Sequence, residues 1–74
     1  MASRFFRVPL DEVAYVRAII EGYDGVAILR ALDPNRGEIE LLVGEGLESE
    51  ADAMIARLER EAQLVPIPRP LDWK

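Results

Sequence analysis

Apolar and polar residues alternate along this chain with two periods, and the switches between the periods outline six elements. Residues 4–8, Arg-Phe-Phe-Arg-Val, are aromatic and β-branched and predict a first strand. Pro9 follows, and its fixed φ suits the first position of a helix. Asp11 and Glu12 stand where the positive end of a helix dipole favours acids. Leu10, Val13, Val16 and Ile20 recur at helical spacing, and Gly22 suits the position just past a helix end, so the first helix closes near Glu21. Residues 26–32 predict a second strand. Asp33-Pro34-Asn35-Arg36-Gly37 is a turn in which each residue has a local reason to be there. In Glu38–Val43, Ile39, Leu41 and Val43 alternate with Glu38 and Glu40, a third strand that closes a hairpin with the second. After Gly44-Glu45-Gly46, Ser49 and Asp52 have the spacing of a capping box with a short acid. Leu47, Ala51, Met54, Ile55, Leu58 and Ala62 then mark the buried stripe of a second helix, whose other face carries Glu50, Arg57, Glu59, Arg60 and Glu61. Residues 64–70 predict a fourth strand, and Leu71, Asp72, Trp73 and Lys74 a tail.

Pro66, Pro68 and Pro70 occupy alternate positions of that fourth strand. Alternate backbone N–H groups of a strand point the same way, so three prolines strip the donors from one side. Proline is tolerated in a sheet only at an edge or a bulge, so this strand is expected at an edge with its free side blocked. The element order β-α-β-β-α-β is the split βαβ, or ferredoxin-like, arrangement. Right-handed crossovers then give an α+β sandwich: a four-stranded antiparallel sheet in the order 4-1-3-2 with both helices on one face. Residues 1–70 make one domain and 71–74 a C-terminal tail.

Composition removes most chemistry. The chain has 74 residues, a net charge of −5, no histidine and no cysteine. No disulfide or thiolate metal site is expected, and the commonest general base and metal ligand is missing. No catalytic residue, metal site or cofactor is assigned: Ser3 lies near a terminus, Ser49 reads as a cap, and no two carboxylates are placed around a substrate. The turn at residues 33–37 lacks the later ligands of a calcium loop. The acidic balance and scattered arginines oppose binding to nucleic acid. No apolar run is long enough for a membrane helix and no signal peptide is visible, so a cytoplasmic location is expected.

Residues 4–65 carry a resemblance. Phe6-Arg7-Val8-Pro9, Ala14-Tyr15, Ile20-Glu21-Gly22-Tyr23-Asp24-Gly25, Leu32-Asp33-Pro34 and Glu38–Val43 are similar to a family of short bacterial proteins catalogued as a domain of unknown function, 4911. The Glu-Gly-Tyr-Asp-Gly segment is its most specific part. The resemblance implies no activity. The strand and helix pattern is also similar to ACT domains, small ligand-sensing modules, but only at the level of fold.

Three surfaces remain as candidates. The first is the sheet face away from the helices. With Phe6, Val8, Val26, Ile28, Ile39, Leu41, Val65 and Ile67 turned to the helices, the other face shows Phe5, Arg7, Ala27, Leu29, Ala31, Glu40, Leu42 and Leu64. Arg7 and Glu40 are expected to be cross-strand neighbours. A contiguous apolar patch of this kind usually marks an interface. The leading expectation is a non-catalytic, homo-oligomeric regulatory or protein-interaction module, with Phe5, Leu29 and Leu42 as anchors. The second is the loop Gly22-Tyr23-Asp24-Gly25, either a helix stop and tight turn or the site of a small-molecule effector such as an amino acid or nucleotide. The third is the tail, in which Trp73 either binds a partner or folds back onto its own domain.

Overall fold

The computed structural model describes residues 2–70. The expectations for Trp73 and the rest of the tail therefore lie outside the described residues. The elements are β1 (Ala2–Arg7), a 3-10 turn (Leu10–Glu12), α1 (Val13–Gly22), β2 (Ala27–Asp33), β3 (Glu38–Val43), α2 (Glu48–Glu61) and β4 (Val65–Pro66). The fold is α+β, with an open antiparallel sheet in the order β2-β3-β1-β4. Read from the opposite edge, that row is β4-β1-β3-β2.

The core lies between the sheet and the two helices. Phe6, Ile39 and Leu41 from the strands, and Val8 just past β1, pack with Val16 and Ile20 of α1 and with Met54, Ile55 and Leu58 of α2. Ala62 and Leu64, just past α2, close the same cluster. The helical spacing of Val16 with Ile20, and of Ala51 with Met54, Ile55 and Leu58, therefore marks the faces the helices bury. At the tip of the β2–β3 hairpin, Gly37 takes φ +69, and its carbonyl accepts the Val8 N–H at 2.9 Å. The hairpin turn is thereby pinned to the end of β1.

Four local readings change. The first helix does not begin at Pro9: a 3-10 turn intervenes, and its tighter winding throws Leu10 out to 57% exposure instead of into the buried stripe. Ser49 is the second residue of α2, not its cap; Leu47 holds the cap position, with no side-chain hydrogen bond. The strand expected over residues 64–70 is regular only at Val65–Pro66, although the Ile67 N–H still donates to the Phe5 carbonyl at 3.0 Å. Finally, β2 and β4 present the opposite faces to those expected. Leu29 pairs with Leu41, and Ala31 with Ile39, so Leu29 packs against the core while Ile28 is 56% exposed on the other side. In β4, Leu64 is buried in the core and Val65 is 54% exposed.

Candidate interaction surfaces

Hydrogen-bond parity decides what each sheet edge can do. In an antiparallel ladder, the N–H and C=O of one residue point to the same neighbour, and the next residue points to the opposite side. Ile67 N–H donates to β1, so the odd residues of this segment face inward and the even ones outward. The even ones are Pro66, Pro68 and Pro70. The β4 edge therefore presents no outward N–H from residues 65 to 70.

The β2 edge is the reverse. Gly44 N–H donates to the Val26 carbonyl, and the register pairs Ile28 with Leu42 and Arg30 with Glu40. Val26, Ile28 and Arg30 thus bond inward to β3, and the N–H and C=O groups of Ala27, Leu29 and Ala31 point outward. No described strand pairs with that side. Apart from Arg30, the flanking side chains are apolar on both faces of the sheet. Ile28 stands beside Leu42 on one, and Ala27 and Leu29 are only half-buried beneath α1 on the other. Arg17, Ile20 and Glu21 of α1 border the same edge, leaving a groove of about 220 Å³ between helix and strand.

The face away from the helices carries Phe5, Arg7, Ile28, Arg30, Glu38, Glu40, Leu42 and Val65, as the pairings of Phe5 with Glu40, Arg7 with Glu38 and Arg7 with Val65 require. Of the three anchors expected there, Leu42 is half-buried on this face, Phe5 is on it but only 9% exposed, and Leu29 is on the other side. Arg7 does not meet Glu40. It donates to Glu38 at 3.2 Å, and the Arg36 guanidinium lies 3.6 Å from the same carboxylate. Glu40 instead faces Arg30, Nε to Oε1 at 3.7 Å, and is 1% exposed. The Arg69 guanidinium sits 5.9 Å from the centroid of the Phe5 ring, within the range of a cation–π contact.

The loop of Gly22, Tyr23, Asp24 and Gly25 lies at the end of the sheet that holds Gly44. Gly22 closes α1, Gly25 takes φ +80, and the Val26 N–H donates to the Tyr23 carbonyl at 3.0 Å. These are the marks of a helix stop and turn. Tyr23 packs against the core and its hydroxyl accepts from Arg57 Nη1 at 3.4 Å. Arg57 also holds Glu61 four residues on, and the Tyr15 hydroxyl donates to Glu61, so α1 and α2 are tied by one exposed polar cluster. The Tyr15 hydrogen bond holds the Glu61 carboxyl below its ordinary value, and Glu61 in turn raises the Tyr15 phenol.

At the opposite end of the sheet, Arg7, Val8, Pro9, Leu10, Asn35, Arg36, Gln63 and Val65 border a shallow groove of about 420 Å³. None of the four loop residues borders it. Its two arginines and the exposed Leu10 and Val65 come together from β1, the 3-10 turn, the hairpin tip and β4, a conjunction that no local sequence pattern announces. The β2 edge had a signal: residues 26–32 hold six apolar residues and one arginine, the run of a strand covered on both faces rather than one.

Among the described residues, no group of three or more Asp or Glu side chains is placed to hold a metal ion, and no helix is long and apolar enough to cross a membrane. A family model described as "Domain of unknown function (DUF4911)" matches residues 6–61. No curated protein and no solved structure matches the chain.

Proposed function

The chain belongs to that family, DUF4911, and we propose that it works by self-association, adding β2 of one copy to β2 of another. The carrying observation is β2 itself: an edge strand with outward backbone donors and the apolar pattern of an interior strand. Edge strands that stay unpaired are usually short, charged or interrupted by proline. β4 fits that description and β2 does not. Antiparallel pairing of two β2 strands would satisfy the outward groups of Ala27, Leu29 and Ala31 and build one eight-stranded sheet. Ile28 and Leu42 of each copy would lie near the partner on one face, and Ala27 and Leu29 on the other.

This reading keeps the homo-oligomeric interaction module anticipated above and moves its contact from the open face to the edge, because Leu29 lies on the other face and Phe5, though on the open face, is only 9% exposed. The ferredoxin-like and ACT-like description of the sandwich belongs to the same proposal. One blocked edge and one open edge also set the stoichiometry. A two-fold contact uses the same patch on both copies and then closes, so the assembly stops at a dimer.

Native mass spectrometry should find a dimer at micromolar concentration. Ala31→Pro removes one outward N–H, as Pro66 does on the other side, and should give a monomer with native far-ultraviolet circular dichroism. A wild-type monomer at the highest soluble concentration, or an Ala31→Pro dimer, would reject the edge contact. A complex containing a different chain would replace the second copy with another strand donor.

A second reading, small-molecule sensing, is supported by the groove at Arg7 and Arg36 rather than by the Gly22–Gly25 loop. Two guanidinium groups share one carboxylate and keep donors to spare, beside exposed Leu10 and Val65, a combination suited to a small carboxylate or phosphate with an apolar end. Such a ligand, binding only the native state at about 100 times its Kd, would stabilise it by about 2.7 kcal/mol. A panel of amino acids and nucleotides should then raise the melting temperature of wild type and not of Arg36→Ala. No shift for any compound would remove this reading.

A further inference from the structure

Helix α1 has one flank tied to its neighbour and one that overhangs the sheet edge. The Tyr15 hydroxyl donates to Glu61, so the Tyr15 flank of α1 is turned towards α2. Arg17 comes two residues later, about 200° round the helix at roughly 100° per residue. It therefore projects from the opposite flank, and Glu21, one turn on, shares that flank. Both are exposed, and with Ile20 they border the groove above Ala27, Ile28 and Leu29.

On the α2 side, Arg57 and Glu61 are joined. Arg17 and Glu21 form no ion pair among the described residues. Within α1 they also stand in the weaker order for a pair, the base N-terminal to the acid. A flank with one base and one acid a turn apart is complementary to a copy of itself turned end for end. The edge pairing proposed above supplies that reversal, and the inference rests on it. A two-fold axis along the strands would make two β2 strands parallel and put the helices of the two copies on opposite sides of the sheet. A two-fold axis perpendicular to the sheet makes the strands antiparallel and keeps all four helices on one side.

The register follows from the outward groups. Setting Leu29 against Leu29 also pairs Ala27 with Ala31, up to the register shift that follows Ala31. Centring on Arg30 would instead oppose two guanidinium groups. The groove sets Arg17 and Glu21 alongside Ala27, Ile28 and Leu29, so the point midway between the two charges lies close to the Leu29 axis. Val16 and Ile20 pack with Ile39 and Leu41 of β3, so each α1 sits back from its edge by a half to one strand. At about 4.8 Å per strand, the two α1 axes then lie roughly 10–15 Å apart. Interlocked helices pack closer than that, at about 8–10 Å, but an arginine meeting a glutamate spans the gap. The geometry points to two reciprocal ion pairs, Arg17 of each copy with Glu21 of the other, closing over the joined β2 strands. They select a second copy of this chain, in antiparallel register, as the occupant of the edge.

Charge reversal tests the pairs without touching the strand. Arg17→Glu and Glu21→Arg alter exposed side chains and should leave circular dichroism native. In sedimentation equilibrium at low salt, each should weaken dimerisation by about ten-fold or more, because two attractive pairs become like-charge contacts. The doubly reversed chain, Arg17→Glu with Glu21→Arg, should return to within about three-fold of wild type. An equimolar mixture of the two single variants should form a heterodimer in preference to either homodimer. Raising the salt to about 0.5 M should weaken the wild-type and doubly reversed dimers alike, and leave that of Arg17→Gln with Glu21→Gln unchanged. Single variants that dimerise as tightly as wild type, while Ala31→Pro is a monomer, would overturn the inference and leave the edge contact standing. So would a double reversal no tighter than the single ones, or a mixture without a heterodimer. A wild-type monomer at the highest soluble concentration would overturn both.

Discussion

Phe6→Ala is expected to leave the protein on the verge of unfolding at room temperature. Phe6 is 2% exposed and packs in the cluster with Ile39, Leu41, Met54 and Leu58. Truncating a buried phenylalanine costs about 3–5 kcal/mol, part from lost transfer energy and part from the cavity left behind. A domain of 74 residues has only about 4–11 kcal/mol of stability, taking 0.05–0.15 kcal/mol per residue. With no cysteine in the chain, no disulfide offsets the loss. Urea unfolding should show a midpoint lowered by about a quarter or more. Ile28→Ala, the same class of truncation at 56% exposure, should move it by no more than about 0.5 kcal/mol's worth, measured at a dilution where the chain is monomeric. Equal shifts for the two variants would mean that the core does not lie on the Phe6 side of the sheet.

Gly37→Ala should be the second largest effect, for a backbone reason. A Cβ at Gly37 would sit 2.0 Å from the Val8 carbonyl oxygen, and Gly37 has φ +69. The left-handed conformation alone costs a side-chain-bearing residue about 1–2 kcal/mol. Relieving the clash also requires the hairpin tip to move away from Val8, breaking the Val8–Gly37 hydrogen bond at 2.9 Å. The total should exceed about 2 kcal/mol, in the upper range for a point substitution. Gly46→Ala is the matched control: φ is +82 but nothing lies within 4 Å of the added Cβ, so only the conformational part should appear. If the two substitutions cost the same in chemical denaturation, the close approach of the hairpin tip to β1 is wrong.

How much of this was legible from residues alone depended on whether each segment had a period. β3 alternates from Glu38 to Leu41, and its buried side, Ile39 and Leu41, follows from that alternation. The helix stripes at Val16 and Ile20, and at Met54, Ile55 and Leu58, did so for the same reason. β2 has no alternation to read: every position from 26 to 32 except Arg30 is apolar. Placing Ile28 inward and Leu29 outward therefore chose between two equal phases, and cross-strand pairing with β3 settled it the other way. In β4, prolines at alternate positions showed which backbone side faces out but not which side chains face the helices, because these are perpendicular directions. The candidate surfaces were legible in proportion. The blocked edge could be read directly, whereas the burial of Glu40 against Arg30 and the meeting of Arg7 with Arg36 at Glu38 depend on register between strands distant in sequence.

The sheet order has a consequence for how the chain is made. β1 emerges first, yet it occupies the interior of the sheet, and its side facing β4 is met only by residues about 60 positions later. Until that stretch leaves the ribosome, Ser3, Phe5 and Arg7 hold donors and acceptors with no neighbour, on the most aromatic segment of the described chain. Contacts of such long sequence separation form late, after the loop they close has been ordered. A nascent or prematurely ended chain thus offers for a time a sticky edge that the finished protein does not have, and the prolines that make the completed border inert arrive only with the last strand.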